Sequence, residues 1–513
     1  MIPFTIAQIA DIVGGRLDNV PDPDVRVTGS VEFDSRKVSP GGLFLALPGA
    51  KVDGHDFAHK AHEAGAVVTL AARPVGTPAI IVPMLPQMHE TESHETDSQV
   101  TESHDAAGSQ AYVFAHDEDG SVRALLAALA ALARAVVTEL TEHGALTVVG
   151  VTGSAGKTST KDMLAAILST AGPTIAPPGS FNNEIGHPYT ALRCTADTEF
   201  LVAELSARGI GHIAQLAEIA PPRIGAVLNV GSAHLGEFGS KDTIAQAKGE
   251  LIEAVPTASA GGIAVLNADD PVVAGMAPRT PGKVLTFSAE GVTTADYYAS
   301  EVTLDELARP FFDLHTPDGQ SVPVRLQVMG AHQISNALAA AAVAAEAGVS
   351  LENIAVALGD YTAVSAHRMD VRQRADNVTV INDAYNANPE SMRAGLAALA
   401  SAAPAPVQAI AVLGEMSELG SDAAAVHQEL GAQLDQFGVD TLVAVGKTEN
   451  INALVAGARQ AGISTRHVAD VNGATRTVEE ILRPAQQRAV VLVKASHAWS
   501  LWRVAEQLLG TPA

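Results

Sequence analysis

The run Val148-Val149-Gly150-Val151-Thr152-Gly153-Ser154-Ala155-Gly156-Lys157-Thr158-Ser159 restricts the folds open to this chain more than any other segment. An apolar strand enters a small glycine-bearing turn ending Gly156-Lys157-Thr158, and a helical pattern follows from Thr160 to Ser169. Strand, tight loop and helix in that order are the setting of a phosphate-binding loop. Glycines let backbone N–H groups turn inward around phosphate oxygens, and the helix points its positive end at them. Gly153, Ser154, Ala155, Gly156, Lys157, Thr158 and Ser159 are the candidate cradle. Lys157 would reach the β- and γ-phosphates of ATP, and Thr158 would hold Mg²⁺. The form is TGxxGKT, because Val151 stands where the stricter GxxxxGK[ST] pattern has its first glycine. An ordinary glycine turn ahead of a helix is the competing interpretation.

Such a loop belongs in an α/β sheet. Strand-like runs recur at 147–151, 200–205, 224–230 and 263–267, with helical patterns between them. That alternation predicts a doubly wound, mostly parallel sheet. Residues 283–328 read as an inserted β region, and a helix is expected over 335–347. From about 363 a second alternation has strand candidates at 378–382, 409–413, 441–445 and 490–494. It is Rossmann-like but contains no GxGxxG, so no dinucleotide site is expected there. The N-terminal stretch predicts a strand within 34–49, a helix from Asp53-Gly54-His55 towards Ala64, and a strand at 66–70. At 513 residues the chain exceeds one hydrophobic core. The expectation is α/β with three domains: a small N-terminal α/β domain (1–144), a central phosphate-loop domain (145–362) and a C-terminal Rossmann-like domain (363–513). Residues 84–110 differ, being polar and acidic with Thr-Glu-Ser-His at 91–94 and again at 101–104. They read as a disordered surface insertion without enough apolar anchors to order it, with a metal-binding repeat as the alternative.

The formal net charge of −25 argues against a nucleic-acid partner, since phosphate backbones need a basic face. It also means that any bound nucleotide must be met by locally placed lysines, arginines and Mg²⁺. Cys194 is the only cysteine, which excludes an intrachain disulfide and fits a cytoplasmic location. The N-terminus lacks the basic region of a signal peptide, and the Ala/Leu stretch 124–137 carries Arg134, so it reads as a packed helix rather than a membrane span.

In parallel sheets, ligands sit at the carboxyl ends of strands. Glu204 ends one strand and His234 follows another, so a carboxylate and an imidazole could hold Mg²⁺ there, although imidazole is not a favoured Mg²⁺ ligand. Lys248 lies on a helix among Ile244, Leu251 and Ile252; it is either a solvated lysine or a partly buried one open to chemical modification. Asn182 and Asn183 form either a turn or a pair of hydrogen bonds to ligand amides and hydroxyls. His332 and Asn336, one helical turn apart, could face a base or ribose, or simply start a helix. Arg368, at a domain junction, could reach a γ-phosphate on domain closure or make an interdomain salt bridge. The run Asp383-Ala384-Tyr385-Asn386-Ala387-Asn388-Pro389 follows a strand, with Asn388 as a helix cap, and suggests ligand contacts.

Taken together, these residues resemble the Mur ligase family of peptidoglycan synthesis. The matching pieces are residues 152–158, Asn182-Asn183-Glu184-Ile185-Gly186, Glu204, His234, Ala247-Lys248-Gly249-Glu250, Gly330 to Asn336, Arg368 and Asp383, in family order. The stretches 383–389 and 411–420, and Asp34-Ser35-Arg36 with Asp53-Gly54-His55, are similar to the members that add a dipeptide last. The Asp-Asn-Pro-Arg motif of the preceding ligase is absent. The resemblance implies an ATP-dependent amide ligase. It would join D-alanyl-D-alanine to the terminal carboxylate of UDP-N-acetylmuramoyl-tripeptide through an acyl phosphate.

It further implies Ser35, Arg36, Asn182 and Asn183 on the UDP-substrate side, and His332, Asn336 and Asp383 with ATP. Tyr385, Asn386 and Asn388 would lie on the dipeptide side. Thr158, Glu204, His234 and a carbamylated Lys248 would serve two Mg²⁺ ions, and Lys157, Lys248, Arg368 and His234 would serve catalysis. The expected partners are small molecules, with no nucleic acid and no membrane insertion, and the chain is expected to be a monomer. Departures are Ser180 for an asparagine, Ala495 for a glycine, and the unfamiliar His497 and Trp499. A folylpolyglutamate synthase-like ligase would lack the Asp34–Phe57 stretch. A phosphate-loop kinase or switch would transfer or hydrolyse phosphate without ligation, and no Asn-Lys-x-Asp guanine motif occurs.

Overall fold

Aliphatic runs bounded by glycine, proline or asparagine become the strands of this computed structural model, which describes residues 1–49, 52–84, 117, 119–231, 235–483 and 488–510. Almost all of the 84–110 insertion, and His234, lie outside the described residues. The chain forms two compact units. The first comprises 1–150, 172–206 and 214–223, and the second 151–171, 207–213 and 224–513.

In the first unit, Thr5 opens the helix Ile6–Val13 with a capping box: its side chain accepts from the Gln8 amide, and Gln8 reaches back to the Thr5 amide. Strands β1 (Arg16–Asp18), β2 (Val31–Glu32), β3 (Gly42–Leu45), β4 (Ala66–Ala71) and β5 (Ala79–Ile81) form a sheet ordered β1-β5-β4-β3-β2. It is parallel except for β1. The helix Ser121–His143 buries Leu125, Leu129, Leu132 and Val136 at three- and four-residue spacing, the stripe of a core helix. Its length and hydropathy would also suit a membrane span, but more than half of its most apolar window is buried within the protein. β6 (Thr147–Thr152) runs from the first unit into the second, and β7 (Thr174–Ile175) pairs in parallel with β8 (Phe200–Glu204).

In the second unit, β9 (Ile224–Val227), β10 (Ile263–Asn267), β11 (Lys283–Ser288) and β12 (Tyr297–Leu304) are parallel in succession. β13 (Pro310–His315) and β14 (Ser321–Arg325) continue the same sheet antiparallel. The expected inserted β region is therefore an extension of the sheet rather than a separate body. Next come β15 (Asp370–Gln373), β16 (Val378–Asn382), β17 (Gln408–Leu413), β18 (Thr441–Val445), β19 (Ser464–Val468) and β20 (Ala489–Lys494), ordered β15-β16-β20-β17-β18-β19. Only β15 is antiparallel. Its central strands are apolar on both faces, as a parallel sheet covered by helices requires. Leu413, Leu442 and Leu492 pack on one side with Leu396 and Leu454, and Val412, Val443 and Val491 on the other with Val478 and Val504.

Two boundaries differ from the sequence expectation. The helix after the phosphate loop begins at Lys157, before Thr160, and β9 ends at Val227, short of Val230. The first draws Lys157, Thr158 and Ser159 into the first helical turn, and the second releases Leu228, Asn229 and Val230 into the loop beside it. The alternation of β13 gives a direct test of which face is core. Phe312 is fully buried and Phe311 is 41% exposed. Phe312→Ala should destabilise the protein by about 3–5 kcal/mol and Phe311→Ala by less than about 0.5 kcal/mol. Paired thermal melts would check this.

Candidate active site

Gly156, between β6 and the helix Lys157–Leu168, has a φ of 82°, and no side chain caps that helix. Its first turn thus offers a positive end to an anion. A Cβ at residue 156 would lie 2.3 Å from Asn336 Oδ1, so only glycine fits. Three asparagines hold the loop and the helix that follows it. Asn229, two residues past β9, accepts from the Ala155 amide through Oδ1 (2.8 Å) and donates to the Ala155 carbonyl (3.1 Å). Asn336 accepts from Thr160 Oγ1 (3.3 Å) and donates to Gln333 Oε1 (2.9 Å). Asn388 donates to the Ser154 carbonyl (3.4 Å) while its Oδ1 caps the helix Pro389–Ala402 at the Ser391 amide (2.8 Å). Ser154 Oγ accepts from the Gly231 amide at 2.9 Å. Lys157 Nζ donates to the Gly153 carbonyl at 2.6 Å.

Lys248 sits on the helix Lys241–Glu253, which Ser240 caps. It is buried rather than solvated. Burial, then the charge of Lys157, holds its amine well below the usual lysine range. The structure thereby brings the two lysines singled out in the sequence into one electrostatic neighbourhood.

A second group of predicted residues gathers at the ends of β16 and β20. The buried Lys494 forms an ion pair with Asp383 and donates to the Asn386 carbonyl at 3.1 Å. Asp383 Oδ1 accepts from the Met369 amide at 3.1 Å. Burial pushes the His332 imidazole down to about 4, with Asp383 pulling it up and Lys494 pushing it further down. The Arg368 guanidinium lies 4.1 Å from the centroid of the Tyr385 ring. The linker leading to Arg368 is tied to the phosphate-loop helix, because Ser365 Oγ donates to Asp162 at 2.6 Å and Asp162 pairs with the buried Lys161 at 2.5 Å. Ser159, Asp162, Gln333, Tyr361, Ser365 and Arg368 line a shared cleft. Across from Ala495, a Cβ at Gly414 would come within 2.8 Å of the Ala495 Cβ, so the alanine leaves room only for glycine at 414.

In the first unit, Glu204 ends β8 fully buried and accepts from Asn182 Nδ2 at 2.7 Å. Asn183 Oδ1 accepts from the Gly186 amide at 2.9 Å and shapes the turn into the helix Gly186–Ala191. Ser35 is buried; Arg36 is exposed and clasps Asp34 through Nε (2.9 Å) and Nη2 (2.8 Å), which lowers the Asp34 carboxyl to about 2. Tyr189 donates to Glu32 at 3.2 Å with Phe33 against its ring. Asn229, Lys494, Asp162 and Ser365 were not foreseen as site residues. The strand-end rule that picked out Glu204 applies equally to Asn229 and Lys494.

Family models match along the chain: Mur ligase family, catalytic domain over 28–136; Mur ligase middle domain over 151–344; and Mur ligase, glutamate ligase domain over 367–497. The chain belongs to the Mur ligase family. It is 52% identical over 529 residues to the UDP-N-acetylmuramoyl-tripeptide–D-alanyl-D-alanine ligase of Mycobacterium tuberculosis (strain ATCC 25618 / H37Rv), covering 99% of this chain and 98% of that one. The enzyme of the same name from Escherichia coli (strain K12) is 33% identical over 508 residues, covering 99% of each. Among solved structures, MurF from Acinetobacter baumannii superposes with a TM-score of 0.81 at 28% identity, covering 99% of both chains. MurF ligase from Thermotoga maritima in complex with ADP gives 0.72 at 27% identity, covering 94% of this chain and 98% of that one.

Two outcomes follow for this Mur ligase. Gly156→Ala should weaken ADP binding by about tenfold or more in titration calorimetry, with the far-UV spectrum unchanged. His187 is buried and His332 half-buried, and desolvation pushes both down to about 4. Unfolded imidazoles protonate near 6.5, so between pH 4 and 6.5 the unfolded state binds more protons, and stability falls as pH drops through that window. Thermal melts across this range should show the fall, and His187→Asn should flatten it.

Proposed function

We propose that this chain joins D-alanyl-D-alanine to the terminal carboxylate of UDP-N-acetylmuramoyl-tripeptide at the expense of ATP, giving the UDP-linked pentapeptide for peptidoglycan. The observation that carries this reading is full-length likeness to ligases named for that reaction, joined to a glycine-restricted phosphate loop with a buried lysine beside it. The tripeptide carboxylate attacks the γ-phosphorus, and ADP leaves with the bridging oxygen's electron pair. The dipeptide amine then attacks the acyl carbon, phosphate departs through a tetrahedral intermediate, and the amine's proton is lost. Lys157 and the first turn of the helix it begins hold the phosphates against the repulsion of the approaching carboxylate. Arg368 contacts the γ-phosphate when the domains close, and closure excludes water from the acyl phosphate. Asp383 and His332 serve the ATP side; Tyr385, Asn386 and Asn388 the dipeptide; Ser35, Arg36, Asn182 and Asn183 the UDP-substrate. The three family-model ranges favour a division into UDP-substrate, ATP and dipeptide domains at 1–144, 145–362 and 363–513. We place the enzyme in the cytoplasm as a monomer working on small molecules.

The residues present fit Mg²⁺. Thr158 and Glu204 offer hard oxygens, and Mg²⁺ commonly binds through one or two carboxylates plus substrate phosphates and water. When bound, Mg²⁺ supplies charge neutralisation on the phosphates. Lys248, its amine favoured in the neutral form by burial, suits carbamylation: the neutral nitrogen attacks the carbon of CO₂, one proton leaves, and the amine becomes an anionic carbamate that can orient a second Mg²⁺.

The deciding assay is Mg²⁺-dependent phosphate release from ATP with UDP-N-acetylmuramoyl-tripeptide, with and without D-alanyl-D-alanine, with product mass read in parallel. Release needing both substrates and yielding the UDP-pentapeptide is expected; release without the dipeptide would send the reading to an earlier step or to phosphate transfer alone. Lys248→Ala should be nearly inactive and partly rescued by acetate, and full activity of the unsupplemented variant would refute the carbamate.

A further inference from the structure

Arg368 is flanked by two residues in a backbone conformation that side chains rarely adopt. His367 has a φ of 60° and Met369 a φ of 50°. Such geometry persists where surrounding contacts over-determine it, and here they form a closed circuit. Arg368 lies over the Tyr385 ring at 4.1 Å. Tyr385 meets His497 at 5.2 Å between centroids, tilted by 59°. His497 stacks on Trp502 at 4.5 Å and 27°, and Trp502 on His367 at 5.3 Å and 25°. His367 returns the circuit to the backbone beside Arg368. Asn382 Nδ2 donates to His367 Nδ1 at 3.0 Å, and the Tyr385 amide donates to the His367 carbonyl at 3.1 Å. Trp502 is half-buried: it packs against the core cluster of Val491 and Val504 while its ring takes part in the circuit.

We propose that His497, Trp502 and His367 are positioning residues that fix the direction of the Arg368 guanidinium through Tyr385. The circuit assigns a role to His497, which the sequence left without one. The inference rests on the role given to Arg368 above.

The test is a double-mutant cycle in the phosphate-release assay, using ATP, UDP-N-acetylmuramoyl-tripeptide and D-alanyl-D-alanine. Arg368→Ala should lower kcat by about a hundredfold. Trp502→Ala should lower kcat by about tenfold, leave KM for the UDP-substrate unchanged, and add nothing in the Arg368→Ala background. Trp502→Phe, which keeps a stacking ring, should recover most of the loss. A Trp502→Ala loss that multiplies with the Arg368→Ala loss overturns the positioning role while leaving Arg368 intact as a functional group. No loss in Arg368→Ala overturns the reading of Arg368 itself. If Trp502→Ala melts before assay temperature, His497→Leu and its double with Arg368→Ala decide in the same way.

Discussion

Three asparagine amides hold the phosphate-binding loop and the helix it opens, and each comes from a different element of the second unit. Asn229 comes from the end of β9, Asn336 from the helix His332–Glu346, and Asn388 from the N-terminus of the helix Pro389–Ala402. Each has a donor and an acceptor on one rigid plane, and Asn229 uses both to grip the Ala155 backbone. The close approach of Asn336 to Gly156 explains why the loop ends in glycine even though Val151 has taken the place of its first one.

An acidic chain that handles anionic substrates must concentrate positive charge locally. Here three lysines are placed inside the fold. Lys161, Lys248 and Lys494 are all buried. Low surrounding polarity strengthens the field of each, and unpaired burial would be costly, so Lys161 and Lys494 have carboxylate partners in Asp162 and Asp383. Lys248 faces another lysine, and it responds by favouring its neutral form. The net charge of −25 therefore says little about the field at the site.

The central strands were legible because burial on both faces leaves an unbroken apolar run, as in Val490 to Val493. The edge strands were not. β19 reads Ser-Thr-Arg-His-Val and is largely exposed, and β15 carries Asp370 and Arg372, so neither shows an apolar face. At the site, the phosphate loop was legible because glycine, lysine and threonine each have a local reason to stand there. Asn183 illustrates the opposite case: its oxygen is committed to the turn at Gly186, the mundane alternative that the sequence already offered. Lys494 stands at a strand end, which marks it as a candidate, but its pairing could not be read from its neighbours, since its partner Asp383 lies 111 residues away. The stacking of Arg368 on Tyr385 depends on backbone angles at His367 and Met369 that carry no compositional mark.

Asn388 uses one end of its amide to start a helix and the other to hold the loop. Aspartate would begin that helix equally well but would turn a second acceptor towards the Ser154 carbonyl. Serine would also begin it, but is too short to span both partners. Drift at this position is therefore confined by the conjunction of two demands that neither would impose alone. Local folding propensity and nucleotide-loop shape are inherited together, as a single genetic unit one residue wide.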